Sequence, residues 1–184
     1  MRVISGYLKG RKLYFIKEKG IRLTKDIVRE AIFDTLRGWI VDKRVIEIFA
    51  GIGALGIESI SHGAKEVIFV EKDRRAVDLI KKNLKELGVS DKGVVKSGRV
   101  EDFIEEFKDL KYDIIIADPP YDYPEGKIKK LLEKIVELNV INEEGIIVFE
   151  YSIKKKLPEV EGLEVYKTRK YGKSCVSYLR RKKK

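Results

Sequence analysis

The sequence predicts an α/β fold built on a doubly wound, mostly parallel sheet, and three observations point there. From Arg44 onward, short apolar runs alternate with amphipathic stretches, which is the signature of βαβ units. A glycine-rich turn, Gly51-x-Gly53-x-x-Gly56, follows the first apolar run. The fourth run, Asp113 to Ala117, stops abruptly at Asp118-Pro119-Pro120-Tyr121. With 184 residues the chain can bury one substantial core. One catalytic domain is therefore expected, residues 38–184, behind a small basic extension of hairpin and helix, residues 1–37, that is expected to contact RNA and to cover the active site.

The extension opens with β-branched and aromatic residues around Gly6 and Gly10, a pattern that predicts a hairpin or a pair of short strands over residues 2–16. Thr24 then reads as the N-cap of a helix with Asp26 in its first turn. Ile27, Val28, Ala31, Ile32 and Leu36 recur at helical spacing until Gly38. Trp39 is placed at the joint between extension and core.

Strands are expected at Val45 to Phe49, Val67 to Glu71, Val94 to Lys96, Asp113 to Ala117 and Ile146 to Glu150. Helices are expected at Ala54 to Ser61, Asp73 to Leu87, Val100 to Phe107 and Lys127 to Leu138, with Gly88 as a C-terminal cap. The tail changes character: Leu163 to Lys170 and Ser174 to Leu179 have no helical segment between them and read as an antiparallel pair at a sheet edge. His62, in Ser61-His62-Gly63, is expected to face solvent, and Cys175 to be a small packed side chain on an edge strand.

Forty Lys and Arg against 30 Asp and Glu give a formal charge of +10. Such a surface attracts polyanions, so nucleic acid leads the partner classes, with a merely solvated lysine-rich surface as the alternative. A single cysteine and a single histidine exclude an internal disulfide and a Cys-based zinc site. No apolar stretch is long enough to predict a membrane span or a signal sequence, so a cytoplasmic protein is expected. Nothing in the sequence demands a dimer, and a monomer is expected.

Chemistry concentrates in two motifs. Glycines at 51 and 53 let the main chain turn tightly and approach a ligand, and Glu71 ends the second strand where a carboxylate can accept from both ribose hydroxyls. This much also matches a dinucleotide site. Glu47, just before the loop, favours S-adenosylmethionine, because a carboxylate there can hold an amino acid's ammonium and would repel a pyrophosphate. The second motif, Asp118-Pro119-Pro120-Tyr121, is rich in acceptors, since each proline removes an amide donor, and it adds a flat ring. Such a corner suits a planar base bearing an exocyclic amine.

Together with the basic N-terminal hairpin and the segment Arg22-Leu23-Thr24-Lys25-Asp26-Ile27-Val28-Arg29-Glu30-Ala31-Ile32-Phe33, these motifs resemble the RsmD family of 16S rRNA guanine-N2 methyltransferases. The resemblance runs from Arg2 to the Tyr171-Gly172 turn. It implies a class I methyltransferase (Rossmann-like) fold, a seven-stranded sheet whose last strand is antiparallel. It also implies S-adenosylmethionine as cofactor, rRNA or the small ribosomal subunit as partner, and no metal.

Carried over by position, Glu47, Gly51, Gly53 and Glu71 fall in the cofactor site, and Phe49, Lys72, Arg99 and Val100 are assigned beside them. Asp118, Pro119, Pro120 and Tyr121 form the catalytic turn, to which Tyr123 adds a wall. Arg2, Lys9, Arg11, Lys12, Arg22 and Arg29 are candidate RNA contacts, and Arg180 to Lys184 form a second basic block. Arg29 could equally be an ordinary helix-surface charge. The chain departs from the family pattern at Gly98-Arg99, where a Gly-Asp pair is expected to hold the adenine amine. Ser97, Glu101 or a main-chain carbonyl is left to substitute. Rival functions are a DNA or RNA adenine-N6 or cytosine-N4 methyltransferase using the same turn, and a catalytically silent RNA-binding assembly factor of the same fold.

Charged residues make up 38% of the chain, Gln is absent, and Asn occurs only at 83, 139 and 142. This composition matches the bias of heat-adapted proteins toward ion pairs and away from labile amides. A melting midpoint above the ordinary mesophile range of roughly 45–65 °C is expected by calorimetry, and one inside it would remove the basis for heat stability.

Overall fold

The computed structural model describes residues 1–15 and 24–183. In chain order the elements are α1 (Asp26–Leu36), β1 (Arg44–Ile48), α2 (Ala54–Ser61), β2 (Glu66–Glu71), α3 (Arg74–Leu87), β3 (Gly93–Ser97), α4 (Val100–Phe103), β4 (Tyr112–Ala117), α5 (Glu125–Glu137), β5 (Ile141–Ser152), β6 (Leu163–Tyr171) and β7 (Ser174–Arg181). They build one seven-stranded sheet of order β3-β2-β1-β4-β5-β7-β6. The first five strands run parallel, and β7 is antiparallel to both β5 and β6.

The expected elements appear with shifts of local origin. The helix expected to reach Phe107 keeps its apolar spacing, since Val100, Ile104 and Phe107 are all buried, but tightens into a 3-10 turn at Ile104–Phe107. α5 begins two residues early because Pro124 supplies the extended cap residue, with φ −62° and ψ 132°. β5 runs from Ile141, with an irregularity opposite the Tyr112/Ile114 step, so the expected Ile146 to Glu150 is only its central part.

Three expectations about single elements are corrected. β7 lies between β5 and β6, so Cys175 is buried on an interior strand instead of an edge. His62 is half-buried rather than solvent-facing: its Nε2 lies 2.7 Å from Ser5 Oγ, and its ring stacks on Phe33 with centroids 5.1 Å apart. The N-terminal hairpin is a wide turn with a single antiparallel bridge, Arg2 to Lys12. It needs no ladder because Val3, Leu8 and Leu13 join α1 and α2 in the core on one face of the sheet. Trp39 packs against the same core, at the expected joint.

The extension is fastened by a buried charge cluster. Arg29 is wholly buried, so it is neither an RNA contact nor a surface charge. Its guanidinium bonds Asp26 at 2.7 Å, the Arg2 carbonyl at 3.1 Å and the equally buried Glu58 at 3.4 Å. Glu58 in turn accepts the main-chain N–H groups of Ile4, at 2.6 Å, and Ser5, at 3.4 Å. One ion pair thus joins α1, α2 and the N-terminal segment.

The turn at the tip of this extension lies far from Asp118. Tyr7 N–H bonds the carbonyl of Ser61, the last residue of α2, and Arg11 bonds the carbonyl of Glu86 near the end of α3. Both helices start at the carboxyl edge of the sheet and run back, so the turn carrying Lys9, Arg11 and Lys12 sits at the amino edge. It therefore does not cover the Asp118 turn. Arg2, Lys9, Arg11 and Lys12 are exposed, while Arg22 and Lys184 lie outside the described residues.

Removing one partner of a buried ion pair strands the other, a loss of about 3–5 kcal/mol. Arg29→Ala should lower the unfolding free energy by roughly that amount in urea titration. A change below about 1 kcal/mol, the range of exposed pairs, would show that the cluster does not hold the extension.

Candidate active site

The order of the sheet reverses between β1 and β4, and at such a switch point two loops part to leave a crevice at the carboxyl edge. Ile48 pairs with Ala117 there, so the glycine loop after β1 and the Asp118 turn after β4 emerge side by side. A cavity of about 380 Å³ opens between them. Its wall includes Phe49, Gly51, Glu71, Lys72, Arg99, Val100, Asp118 and Pro120, which brings together most of the residues singled out from sequence. Asp73, Ala76, Asp122, Tyr123, Pro124 and Lys127 complete much of the rest.

The glycine loop is shaped by close packing. Gly53 has φ 76° and caps α2, and a Cβ on Gly56 would stand 2.2 Å from the Phe69 ring and 2.6 Å from Glu47 Oε2. Only glycine lets α2 approach the sheet this closely. Phe49 has φ 60°, a left-handed conformation uncommon outside glycine. Its ring meets Tyr123 edge-on with centroids 4.8 Å apart.

Four carboxylates organise the site. Glu71 accepts from Gly51 N–H at 2.7 Å and Asp73 N–H at 2.8 Å, which fixes it at the mouth of the loop. Glu47 is only 4% exposed, lies beneath the loop and accepts from Gly56 N–H at 2.9 Å. Burial raises its pKa from 4.5 to about 8, with smaller upward pushes from Asp118 and Glu71. Glu101 accepts the Tyr123 hydroxyl. Burial acts to raise Glu101, yet that bond and the nearby cations outweigh it and hold the group below its ordinary value. The same contact and burial push the Tyr123 phenol upward.

The fourth carboxylate, Asp118, is half-buried, and its Oδ2 accepts the Thr24 hydroxyl at 2.8 Å. This corrects the expected role of Thr24, because the N-cap of the helix is Lys25, with no side-chain capping bond. Thr24 instead brings the end of the extension onto the acid at the centre of the site. Periodicity showed where α1 begins but not where Thr24 points, because no local signal reports a partner 94 residues away.

Pro119 is buried, Pro120 is exposed, and the Tyr121 ring is 41% exposed with its hydroxyl 2.9 Å from Ser174 Oγ on β7. Tyr121 therefore has an anchored tip and an accessible face. Where a Gly-Asp pair was expected, Arg99 lines the cavity, its own N–H bonded to Asp102 at 3.1 Å. Of the substitutes considered, Glu101 reaches the cavity wall, whereas Ser97 is exposed and does not line it.

Among the described residues the cavity wall carries five acidic side chains, Glu71, Asp73, Glu101, Asp118 and Asp122, against three basic ones, Lys72, Arg99 and Lys127. An acidic cleft in a chain of net charge +10 favours a cationic small ligand over a polyphosphate.

A family model described as conserved hypothetical protein 95 matches residues 1–180. A Bacillus subtilis (strain 168) protein, YlbH, provisionally named an rRNA methyltransferase, is 36% identical over 186 residues, covering 99% of this chain and all of that protein. The Escherichia coli (strain K12) ribosomal RNA small subunit methyltransferase D is 32% identical over 160 residues, covering 87% of this chain and 79% of that one. A solved Escherichia coli structure provisionally titled a methyltransferase, yhhF, superposes with a TM-score of 0.85 at 26% identity, covering 98% of this chain and 97% of the other.

A group whose native pKa is raised stabilises the fold fully below its unfolded value and loses that contribution as pH rises through the native one. For Glu47 the window runs from 4.5 to about 8. Glu47→Gln, neutral throughout, should flatten the fall in urea-derived stability across that window. Superimposable pH profiles for the variant and the parent chain would mean that Glu47 ionises freely in the native state.

Proposed function

The chain belongs to the family described as conserved hypothetical protein 95, the RsmD family, and on that premise we propose that it is an S-adenosylmethionine-dependent methyltransferase. Its proposed target is the exocyclic N2 amine of a guanine in small-subunit rRNA. The observation that carries this reading is the pairing of Ile48 with Ala117, which sets an acceptor-rich turn beside a ligand-binding glycine loop.

The residues present fit the cofactor. Gly51 allows close main-chain approach, Glu71 is poised for ribose hydroxyls, and the apolar Val70, Ala76 and Val100 offer a bed for the adenine. Glu101 is the acidic side chain left to meet the adenine amine where Arg99 replaces the expected Asp. The excess of carboxylates in the cavity wall suits the ammonium and sulfonium charges, whereas Glu47, buried beneath the loop, does not line the cavity. When bound, S-adenosylmethionine supplies an electrophilic methyl group on a sulfonium that departs neutral.

The rest is positioning. An exocyclic amine is a poor nucleophile because its lone pair is delocalised into the ring. The Asp118 carboxylate and the Pro119 carbonyl each accept one N–H, which holds the nitrogen with its lone pair toward the methyl. Orientation of this kind can lower a barrier by several kcal/mol. Thr24 keeps the Asp118 carboxylate in one rotamer and supports its negative charge. After transfer the nitrogen is acidic and gives a proton to Asp118 or water. The target base leaves its stack, or lies in an unpaired loop, and Tyr121 receives it face to face for about 1–3 kcal/mol.

Incubation of the protein with labelled cofactor and unmodified small-subunit rRNA, followed by nucleoside analysis, should yield N2-methylguanosine. N6-methyladenosine or N4-methylcytidine would redirect the assignment, and no product with intact cofactor binding would leave an RNA-binding role. Asp118→Ala should cut turnover by roughly 10²-fold or more while cofactor affinity in calorimetry stays within about threefold. Full turnover in that variant would remove Asp118 from the chemistry.

A further inference from the structure

A second depression, of about 390 Å³, lies on the sheet face formed by the carboxyl-edge ends of β5, β7 and β6. Its origin is topological. Residues 153–162, between β5 and β6, form no helix, so nothing of that kind covers the row Tyr151–Cys175–Lys170 and the pair Ser177–Thr168. Cross-strand partners point to one face, which makes these rows a floor. The Ser177 hydroxyl ties them together, at 3.0 Å from the Tyr151 hydroxyl and 2.8 Å from that of Thr168.

The depression is joined to the proposed catalytic turn by two hydrogen bonds. Lys155, in its wall, donates to the Tyr123 carbonyl at 3.0 Å, and Ser174, at the head of β7, bonds the Tyr121 hydroxyl. Among the described residues its wall holds three lysines, Lys155, Lys156 and Lys170, and no acidic side chain, the reverse of the acidic cavity beside it. Its apolar lining includes Leu157 and the exposed side chains of Ile153 and Val165, 41% and 49% accessible.

We propose that this groove holds the single-stranded RNA adjoining the target guanine, with its phosphates on Lys156 and Lys170 and a neighbouring base on the floor around Tyr151 and Leu157. The inference rests on the proposed function for the identity of the nucleic acid. A basic track with an apolar, aromatic floor is the arrangement by which proteins follow single strands, phosphates giving affinity and the floor receiving bases. The charge boundary divides the edge in two: the acidic cavity takes a cationic small molecule, and the basic groove takes the polyanion. The amino-edge lysines at 9 and 12 stand at the other end of the sheet, so they belong to a separate part of any footprint.

The test uses the full chain with Lys156→Glu and Lys170→Glu combined. Both side chains are exposed and stand outside the proposed catalytic machinery. A control combines Lys65→Glu with Lys108→Glu, exposed residues that precede β2 and β4 at the amino edge and change the net charge equally. Binding of unmodified small-subunit rRNA is measured against salt, with melting and cofactor calorimetry confirming the fold. The groove variant should bind roughly tenfold more weakly than the control, with a salt slope lower by about one to two units, while cofactor affinity is unchanged.

Equal affinity and slope in the two variants, or no RNA binding by the parent chain, would overturn the groove. Turnover separates the two ideas. A parent chain that binds rRNA through the groove yet transfers no methyl group refutes the proposed reaction and leaves the groove standing. Transfer by both variants with equal KM for rRNA does the opposite.

Discussion

The parallel pairing of β1 with β4 is the contact on which the arrangement of this protein depends. Through Ile48 and Ala117 it sets the ends of two strands side by side, although Gly51 and Asp118 are 67 positions apart in sequence. The two loops then have to diverge, because the winding of the sheet reverses at that seam, and their divergence makes the cavity. A slip of one residue in this register would turn every side chain of the slipped strand to the opposite face and move Asp118 relative to the glycine loop.

A second constraint reaches the same point from the opposite direction. Arg29 and Glu58 are both fully buried, and together they hold α1, α2 and the first residues of the chain as one piece. α1 begins immediately after Thr24, so the ion pair also fixes where the Thr24 hydroxyl stands, against Asp118. A buried ion pair offers little net stability over apolar packing, since desolvation offsets much of the attraction. Its contribution here is one of geometry: it gives the extension a single seat on the domain, and with it the environment of the Asp118 carboxylate.

Electrostatic sorting then distinguishes neighbouring surfaces. The chain as a whole is strongly basic, yet among the described residues acidic side chains outnumber basic ones around the cavity, while the charged side chains of the groove are all lysines. Small cationic and large anionic ligands are thereby given adjacent but separate places. Close to the boundary, Tyr121 and Tyr123 are each anchored through the hydroxyl, one to Ser174 and the other to Glu101, so both rings stand in defined orientations.

Local signals in the chain were enough for α2, whose expected span Ala54 to Ser61 is the observed one, and for the glycine loop and Asp118 turn, whose residues are special because of backbone chemistry that acts within a few positions. The seven-stranded sheet and its antiparallel last strand were legible through the family resemblance. Other features were settled only by long-range contact. Arg29 looked like any helix charge until Glu58 met it, and Thr24 like a cap until Asp118 accepted from it; the antiparallel pair at the sheet edge was legible, but not that Cys175 lies on its inner strand. Periodicity and turn chemistry report which face a residue presents and where the chain bends. They do not report which distant group arrives on that face, and it is that arrival which decides burial, protonation and the partners of a functional carboxylate.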